Sequence, residues 1–349
     1  MFLRAQNIFA FYAPTARMDI MRASLLGDIQ MLTLLELLKD GGFHSGQALG
    51  NALGVSRSAV WKQLQQLEAE LSLEIHKVRG RGYRLANPLS LLSEVEILST
   101  GAPVKWPMLI LDSVDSTNAE GVRSIDRSKD VPYLVLAERQ TAGRGRRGRK
   151  WVSPYAENIY YSLVLRIEGG MRQIEGLSLL VGLAVMQTLR EAGVVRAGLK
   201  WPNDILVGTK KIAGVLLELV GDPADVCHVV IGVGINVNMQ EAPEVDQSWT
   251  SVRLETGALS DRNRLVALLN GNLQRYLAVH REYGFTAFQS QWEQNHLWQG
   301  RAVTLLTGAG STEGVVLGID GHGALRLEVG GVEKSFSGGE LSLRLRDDT

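Results

Sequence analysis

The sequence predicts an α+β protein in three successive parts. Two helices and a turn run into a basic hairpin before Asn87-Pro88. Strands and helices then alternate as far as His296, and only short strands follow. At 349 residues the chain exceeds one small module and calls for two or three domains.

Residues 1–24 read as an N-terminal extension. Arg4 precedes an uncharged stretch, but Gln6, Asn7 and Pro14 break its apolar run. A mobile arm, or an over-extended start ahead of Met18 or Met21, is expected over a secretory leader.

Residues 29–38 form a helix with a broad apolar face, ended by Gly41-Gly42. Residues 45–53 form a second helix, and Gly54-Val55 turns into a third. Ser56 is a good N-cap for residues 57–68. Val60, Leu64 and Leu67 share one face at i, i+4, i+7. Residues 74–79 and 83–85 are strands joined by Gly80-Arg81-Gly82. Together these elements, residues 25–87, have the pattern of a winged helix–turn–helix. Ser56, Arg57, Ser58, Lys62 and Gln65 suit groove edges and phosphates, and Arg79 and Arg81 on the hairpin extend the basic surface. The other reading is a protein-docking module with a solvated basic face.

In the middle part, residues 88–299, strands are expected at 108–111 and 133–137 around a helix at 116–125. A long strand follows at 158–167. The helix at 173–192 is uncharged from Gly176 to Leu189. That is short of the roughly 20 residues a bilayer needs, so a buried core helix is expected. Residues 205–207 and 212–220 form a hairpin over Gly208-Thr-Lys-Lys211. A strand at 229–235 and helices at 261–283 and 285–296 complete a mixed sheet with helices on one side. Residues 300–349 hold strands at 302–306, 312–317, 325–329, 332–336 and 341–345 between glycine turns, a small β-barrel similar to an SH3 domain.

Composition narrows the function. Apolar residues make up 45% of the chain and charged residues 21%, which excludes wholesale disorder and fibrous repeats. The 37 basic and 37 acidic side chains argue against non-specific polyanion binding by the whole molecule. Residues 1–87 hold 10 basic and 7 acidic side chains, so the first part is mildly basic. Cys227 is alone, which excludes an intrachain disulfide and a multi-cysteine zinc site. No metal ligands are assigned. These features fit a reducing cytoplasm, although a cysteine-poor secreted protein would look the same.

The chemistry concentrates in residues 143–150, Gly-Arg-Gly-Arg-Arg-Gly-Arg-Lys, with five positive charges and no acid. Its glycines let backbone N–H groups approach an anion, and arginine forks suit phosphate or carboxylate. The glycine spacing matches a dinucleotide fingerprint, but that motif should open a helix, and a strand follows here. No P-loop and no G-x-S-x-G elbow is present. Lys200-Trp-Pro-Asn-Asp204 offers a fixed charge beside a turn. Asp115-Ser-Thr-Asn118 reads equally well as an N-cap, and Gly232-Val-Gly-Ile-Asn236 as a strand end.

Together, Asp115–Asn118, residues 140–151, Lys200–Asp204, Lys211-Ile-Ala-Gly214 and Gly232–Asn236 resemble the biotin–protein ligase family in order and spacing. The resemblance covers nearly the whole chain from about residue 25. Phe43-His-Ser-Gly46 and the winged helix are similar to the DNA-binding half of that family's bifunctional members. Residues 318–342 are similar to its closing barrel. The extension departs from the pattern and receives no function. A lipoate ligase shares the general fold but should lack the Gly-Arg-Arg-Gly loop.

The resemblance implies a class II synthetase-like catalytic domain. It implies formation of biotinoyl-5′-AMP from biotin and ATP, with Mg²⁺ beside the nucleotide. Transfer to a lysine of the biotin carboxyl carrier protein of acetyl-CoA carboxylase would follow. It implies biotin contacts from Ser116, Thr117, Asn118, Gln140, Arg144, Gly145, Arg146 and Lys200, with Lys200 and Arg146 at the reacting centre. It implies nucleotide contacts from Arg144, Arg147, Arg149, Trp151 and Asn236, with Trp249 stacked on adenine. It further implies a homodimer that binds operator DNA when adenylate-bound. The alternative from another class is a non-catalytic biotin-sensing transcription factor.

Overall fold

The computed structural model describes residues 30–100, 106–125, 131–168, 170–222, 226–307, 310–337 and 341–346. The expected arm at 1–24 and the predicted turn glycines at 308, 338 and 339 lie outside the described residues. The chain divides into two compact units, Met1–Leu89 and Ser90–Thr349.

In the first unit, helix α1 covers residues 30–38, α2 spans Gly46–Leu53 and α3 spans Arg57–Leu71. Strands β1 (Ile75–Val78) and β2 (Gly82–Leu85) pair antiparallel. Ser45 and Ser56 cap α2 and α3, accepting from the amides of Ala48 at 3.0 Å and Ala59 at 3.2 Å. Helix α3 runs past the expected end at residue 68 because Leu71 continues the buried row of Val60, Leu64 and Leu67. The hairpin is tied back where His44 and Tyr83 exchange backbone hydrogen bonds. Gly82, at φ +108°, must be glycine there, because a Cβ would meet the His44 carbonyl.

In the second unit, strands β3 (Met108–Val114), β4 (Tyr133–Gln140), β5 (Ile159–Ile167), β6 (Ala197–Lys200), β7 (Asp204–Val207), β8 (Lys210–Gly221) and β9 (Cys227–Ile235) form one sheet. Its order is β3-β4-β5-β9-β8-β7-β6, and β3–β4 is the parallel pair. Helices α4 (Glu94–Ser99), α5 (Thr117–Ser124), α6 (Leu177–Glu191), α7 (Val252–Thr256), α8 (Arg262–Tyr283) and α9 (Gln289–Gln294) accompany it.

The expectation of helices on one side is corrected. Along β5, Ile159, Tyr161, Leu163 and Leu165 face the core with α6 and α8, and the Tyr161 hydroxyl donates to Asn270 of α8 at 2.9 Å. The alternate residues point the other way. There α5 lies against Val164 and Val230, whose side chains approach Gly121. The charge-free helix α6 is buried between the sheet and α8, as its composition required. The single helix expected at 285–296 is a 3₁₀ turn, Phe285–Phe288, followed by α9.

The start of this unit is pinned by the N-terminus of α8. Arg262, fully buried, donates to the carbonyls of Ser90 at 2.7 Å and Asn158 at 2.8 Å and pairs with Glu138. Beside it Asn263 donates to the Leu91 carbonyl at 2.9 Å and accepts from the Ser93 amide at 2.8 Å.

Five C-terminal strands, β10 (Ala302–Thr307), β11 (Gly310–Ile319), β12 (Leu325–Val329), β13 (Val332–Phe336) and β14 (Ser342–Leu345), form an antiparallel sheet ordered β13-β12-β11-β10-β14. Val303, Leu305, Ile319, Leu325 and Leu343 join the same hydrophobic core as the large sheet.

Candidate active site

The candidate site lies on the α5 face of the large sheet. It is a cavity between the start of α5, the loop after β4, and the middle of β8 and β9. Two glycines on β9 open it. A Cβ at Gly232 would meet the Asn118 side chain, and one at Gly234 would lie 2.5 Å from the Trp151 ring. Gly232→Ala is therefore expected to displace Asn118 and raise the KM for whatever substrate the cavity takes, with a stability cost of about 1–3 kcal/mol. Steady-state kinetics and a melting curve check this, and an unchanged KM would refute it.

Five motifs distant in sequence meet here. Ser116 is the N-cap of α5 and also lines the cavity. Gln140 accepts from the Thr117 amide at 2.9 Å and hydroxyl at 3.1 Å and donates to Ser153 at 3.2 Å. The Ser162 hydroxyl lies 2.6 Å from Asn118 Oδ1 and 2.8 Å from Thr117 Oγ1. Asn118 in turn donates to Glu218 Oε2 at 2.7 Å. These groups form a buried polar lining whose rotamers are fixed by one another. Ser162 and Glu218 were not anticipated. Strand alternation places both on the open face once the register is known, but the register is not readable from either residue.

The arginine loop folds on itself. The Trp151 amide donates to the Gly143 carbonyl at 2.9 Å and the Gly145 amide to the Arg149 carbonyl at 2.7 Å. The Gly145 N–H is thus engaged within the loop, contrary to its expected role of facing an anion. Arg146–Gly148 form one 3₁₀ turn, with Arg147 at φ +59°. Arg144 pairs with Glu218 at 2.9 Å, and Arg146 donates to Asn203 Oδ1 at 2.8 Å. Arg144, Gly145 and Arg146 line both the inner cavity and a second, outer one, which Arg147 and Arg149 also line. With these side chains inward the inner cavity holds about 50 Å³. It shares Arg144, Gly145, Arg146 and Leu216 with the outer cavity, which holds about 740 Å³.

Two lysines share one carboxylate, Asp204. Lys211 lines the cavity, 2.6 Å from Asp204 and 5.4 Å over the Trp151 ring. Lys200 is not among the lining residues. Its ammonium lies 4.7 Å over the Trp298 ring and 3.8 Å from the same Asp204 carboxylate. Burial lowers the Lys200 pKa, and Asp204 opposes that. Burial pushes the Asp204 carboxyl up, but Lys211 and Lys200 outweigh it and hold it below its ordinary value. The site therefore presents a fixed ammonium beside an ionised carboxylate. The Lys211 signal was present in Lys211-Ile-Ala-Gly214, whose lysine was not singled out.

Asn236 is spent on the backbone, its Nδ2 donating to the Thr250 carbonyl at 3.0 Å. It anchors the segment that carries Trp249, a half-buried residue bridged to Lys211. Neither side chain lines the cavities. In the first unit Arg57, Ser58, Lys62, Gln65, Arg79 and Arg81 are exposed, while the Ser56 hydroxyl serves as a cap. Arg81 lies 4.1 Å over the Phe43 ring. Among the described residues, no helix is long and apolar enough to cross a membrane.

Three family models match: the biotin/lipoate A/B protein ligase family over residues 111–236, an HTH domain over 30–84, and the biotin protein ligase C-terminal domain over 300–344. The chain is 40% identical to the bifunctional ligase/repressor BirA of Escherichia coli (strain K12), covering 90% of this chain and 97% of that protein. It is 35% identical to the protein of the same description from Bacillus subtilis (strain 168), covering 91% and 98%. Biotin protein ligase from Aquifex aeolicus in complex with biotin and ATP is 32% identical, with a TM-score of 0.61, covering 69% of this chain and 99% of that one.

Proposed function

The chain belongs to the biotin–protein ligase family and matches its bifunctional ligase/repressors along almost their whole length, and on that premise we propose that it activates biotin with ATP, biotinylates a carrier protein and represses transcription. One observation carries the catalytic reading. Polar α5 residues, an arginine loop and the Lys211 ammonium converge on one cavity.

Activation brings a carboxylate onto the α-phosphate of ATP. A carboxylate oxygen bonds to phosphorus, and pyrophosphate leaves. Two anions must meet, so the requirement is positive charge and positioning. Lys211 holds the reacting anions, and Arg144 and Arg146 close over them. Ser116, Thr117, Asn118 and Gln140 receive the ring system. Arg147, Arg149, Trp151 and Trp249 attend the nucleotide. Lys200 acts through Asp204, which it shares with Lys211. Asn236 holds the backbone of the nucleotide side. Mg²⁺ would arrive with the nucleotide. The described residues contain no group of three or more His, Cys, Asp or Glu that could cage it, and phosphate-bound Mg²⁺ needs few protein ligands. In the second step a carrier lysine amine attacks the activated carbonyl and AMP leaves. The acceptor is the biotin carboxyl carrier protein of acetyl-CoA carboxylase.

The test is purified protein with biotin, ATP and a carrier domain, scored for labelled carrier. No label, with no biotin-dependent pyrophosphate exchange, would leave only a biotin-sensing transcription factor. Arg146→Gly removes the loop's contact to Asn203 and is expected to let activated biotin escape. Bystander proteins should then be labelled more than by wild type, and equal labelling would count against the role.

Residues 25–87 carry the repressor activity, with residues 88–299 catalytic and 300–349 closing the ligase core. The adenylate-bound protein dimerises and places two winged helices on a palindromic operator. The exposed row of Arg57, Lys62 and Gln65 supports this reading. Lys62→Ala should weaken operator binding across sequences and reduce the salt slope by about 1. Gel shifts with biotin and ATP over a salt series measure both. An unchanged slope would remove Lys62 from the interface.

A further inference from the structure

Among the described residues lining the two cavities, Glu218 is the one acidic side chain. An acid there repels both anions that the site must receive, so a compensating role is called for. Its geometry supplies one. Glu218 lies on β8 in the same alternation as Gly214 and Leu216, on the open face of the sheet. A single oxygen, Oε2, accepts from Asn118 Nδ2 at 2.7 Å and from Arg144 Nη2 at 2.9 Å. The other end of the Asn118 amide is engaged by Ser162 at 2.6 Å, so the amide cannot flip without losing both partners. Arg144 is a long side chain on an exposed loop, and such a side chain loses substantial rotamer freedom when held in one geometry.

We propose that Glu218 is a positioning residue of the adenylate-forming step. Its one carboxylate oxygen sets the cavity-lining amide of Asn118 and the guanidinium of Arg144 in a shared geometry before ligand arrives. The proposal rests on the ligase reading above and deepens it. Asn118 and Arg144 both line the cavity, and Glu218 is the shared acceptor that ties one to the other. Ordering both in advance spares the substrate that task at the reacting centre.

Two substitutions separate geometry from charge. Both hydrogen bonds fall on one oxygen, so the carboxamide oxygen of Glu218→Gln can take both while the charge is lost. Glu218→Ala can take neither. Limited trypsin digestion of the ligand-free protein reads the loop, whose arginines are the cleavage sites. Pyrophosphate exchange reads kcat and the KM for biotin. For Glu218→Ala we expect loop cleavage about tenfold faster and kcat/KM about tenfold lower, as loss of a charge-assisted hydrogen bond predicts. The melting temperature should hold. Glu218→Gln should restore both readouts to near wild type.

An alanine variant with wild-type cleavage and kinetics would overturn the proposal. So would a glutamine variant as impaired as alanine, because charge and not geometry would then be the operative property. Should wild type itself show no biotin-dependent exchange, the ligase reading fails and takes the catalytic part of the proposal with it. The proteolysis contrast distinguishes that failure from a failure of Glu218 to hold the loop.

Discussion

Lys211→Ala is expected to lower biotin-dependent ATP–pyrophosphate exchange by about 100- to 1,000-fold, the usual effect of removing one preorganised charge stabiliser. The ammonium lines the cavity and is held by Asp204 at 2.6 Å, so it is already in place before the anions meet. Lys200→Ala should cost less, because that ammonium faces Trp298 and does not line the cavity. Exchange rates of the two variants, measured side by side, decide the order. A larger loss for Lys200 would reverse the assignment. Lys211→Ala should still fold, since Lys200 remains 3.8 Å from Asp204. Its acid tolerance should suffer. The Asp204 carboxyl is held below its ordinary value, so its pairing stabilises the fold above the unfolded carboxyl pKa. That contribution is lost as pH falls through the lowered value. Without Lys211 the folded pKa rises, and the loss should begin at higher pH.

Arg262→Met is expected to destabilise the second unit by about 3–5 kcal/mol, the cost of stranding a buried charge. The side chain of Arg262 is wholly buried and that of Glu138 is 8% exposed. Removing the guanidinium leaves Glu138 with the Leu92 amide as its remaining hydrogen-bond donor, at 2.6 Å. It also leaves the Ser90 and Asn158 carbonyls without their donor. Urea denaturation of the variant gives the number directly. A loss under about 1 kcal/mol would place the pair among those that contribute little. Arg262→Met combined with Glu138→Leu should recover much of the loss, because the stranded charge is then gone.

Much of this architecture was legible in the residues. The row Val60, Leu64, Leu67 located α3, and the charge-free run from Gly176 to Leu189 located the buried helix α6. Both are long local patterns, and local periodicity survives folding. The short helices α4 and α7, of 6 and 5 residues, fall below any periodic window and went unmarked. That Ser116, Thr117, Asn118, Gln140 and the arginine loop would gather round one cavity was legible, because residue type there is tied to a recognisable motif. Lys200 and Lys211 are both lysines beside turns that meet at Asp204. Which one lines the cavity depends on how β6, β7 and β8 pair, and the sequence alone does not say. Ser162 and Glu218 were invisible for the same reason. Each is an ordinary polar residue in a strand until the register with β9 puts it beside Asn118.

The large sheet also partitions the consequences of mutation. Alternate residues of β5 look in opposite directions, toward α6 and α8 or toward the cavity and α5. Drift at 159, 163 and 165 should therefore be filtered by heat tolerance, as should drift at Val164, which packs against α5. Drift at Tyr160 and Ser162 should be filtered by turnover. A saturation library along this one strand would sort by the face each position serves. Two selective histories would thus be interleaved in nine consecutive residues.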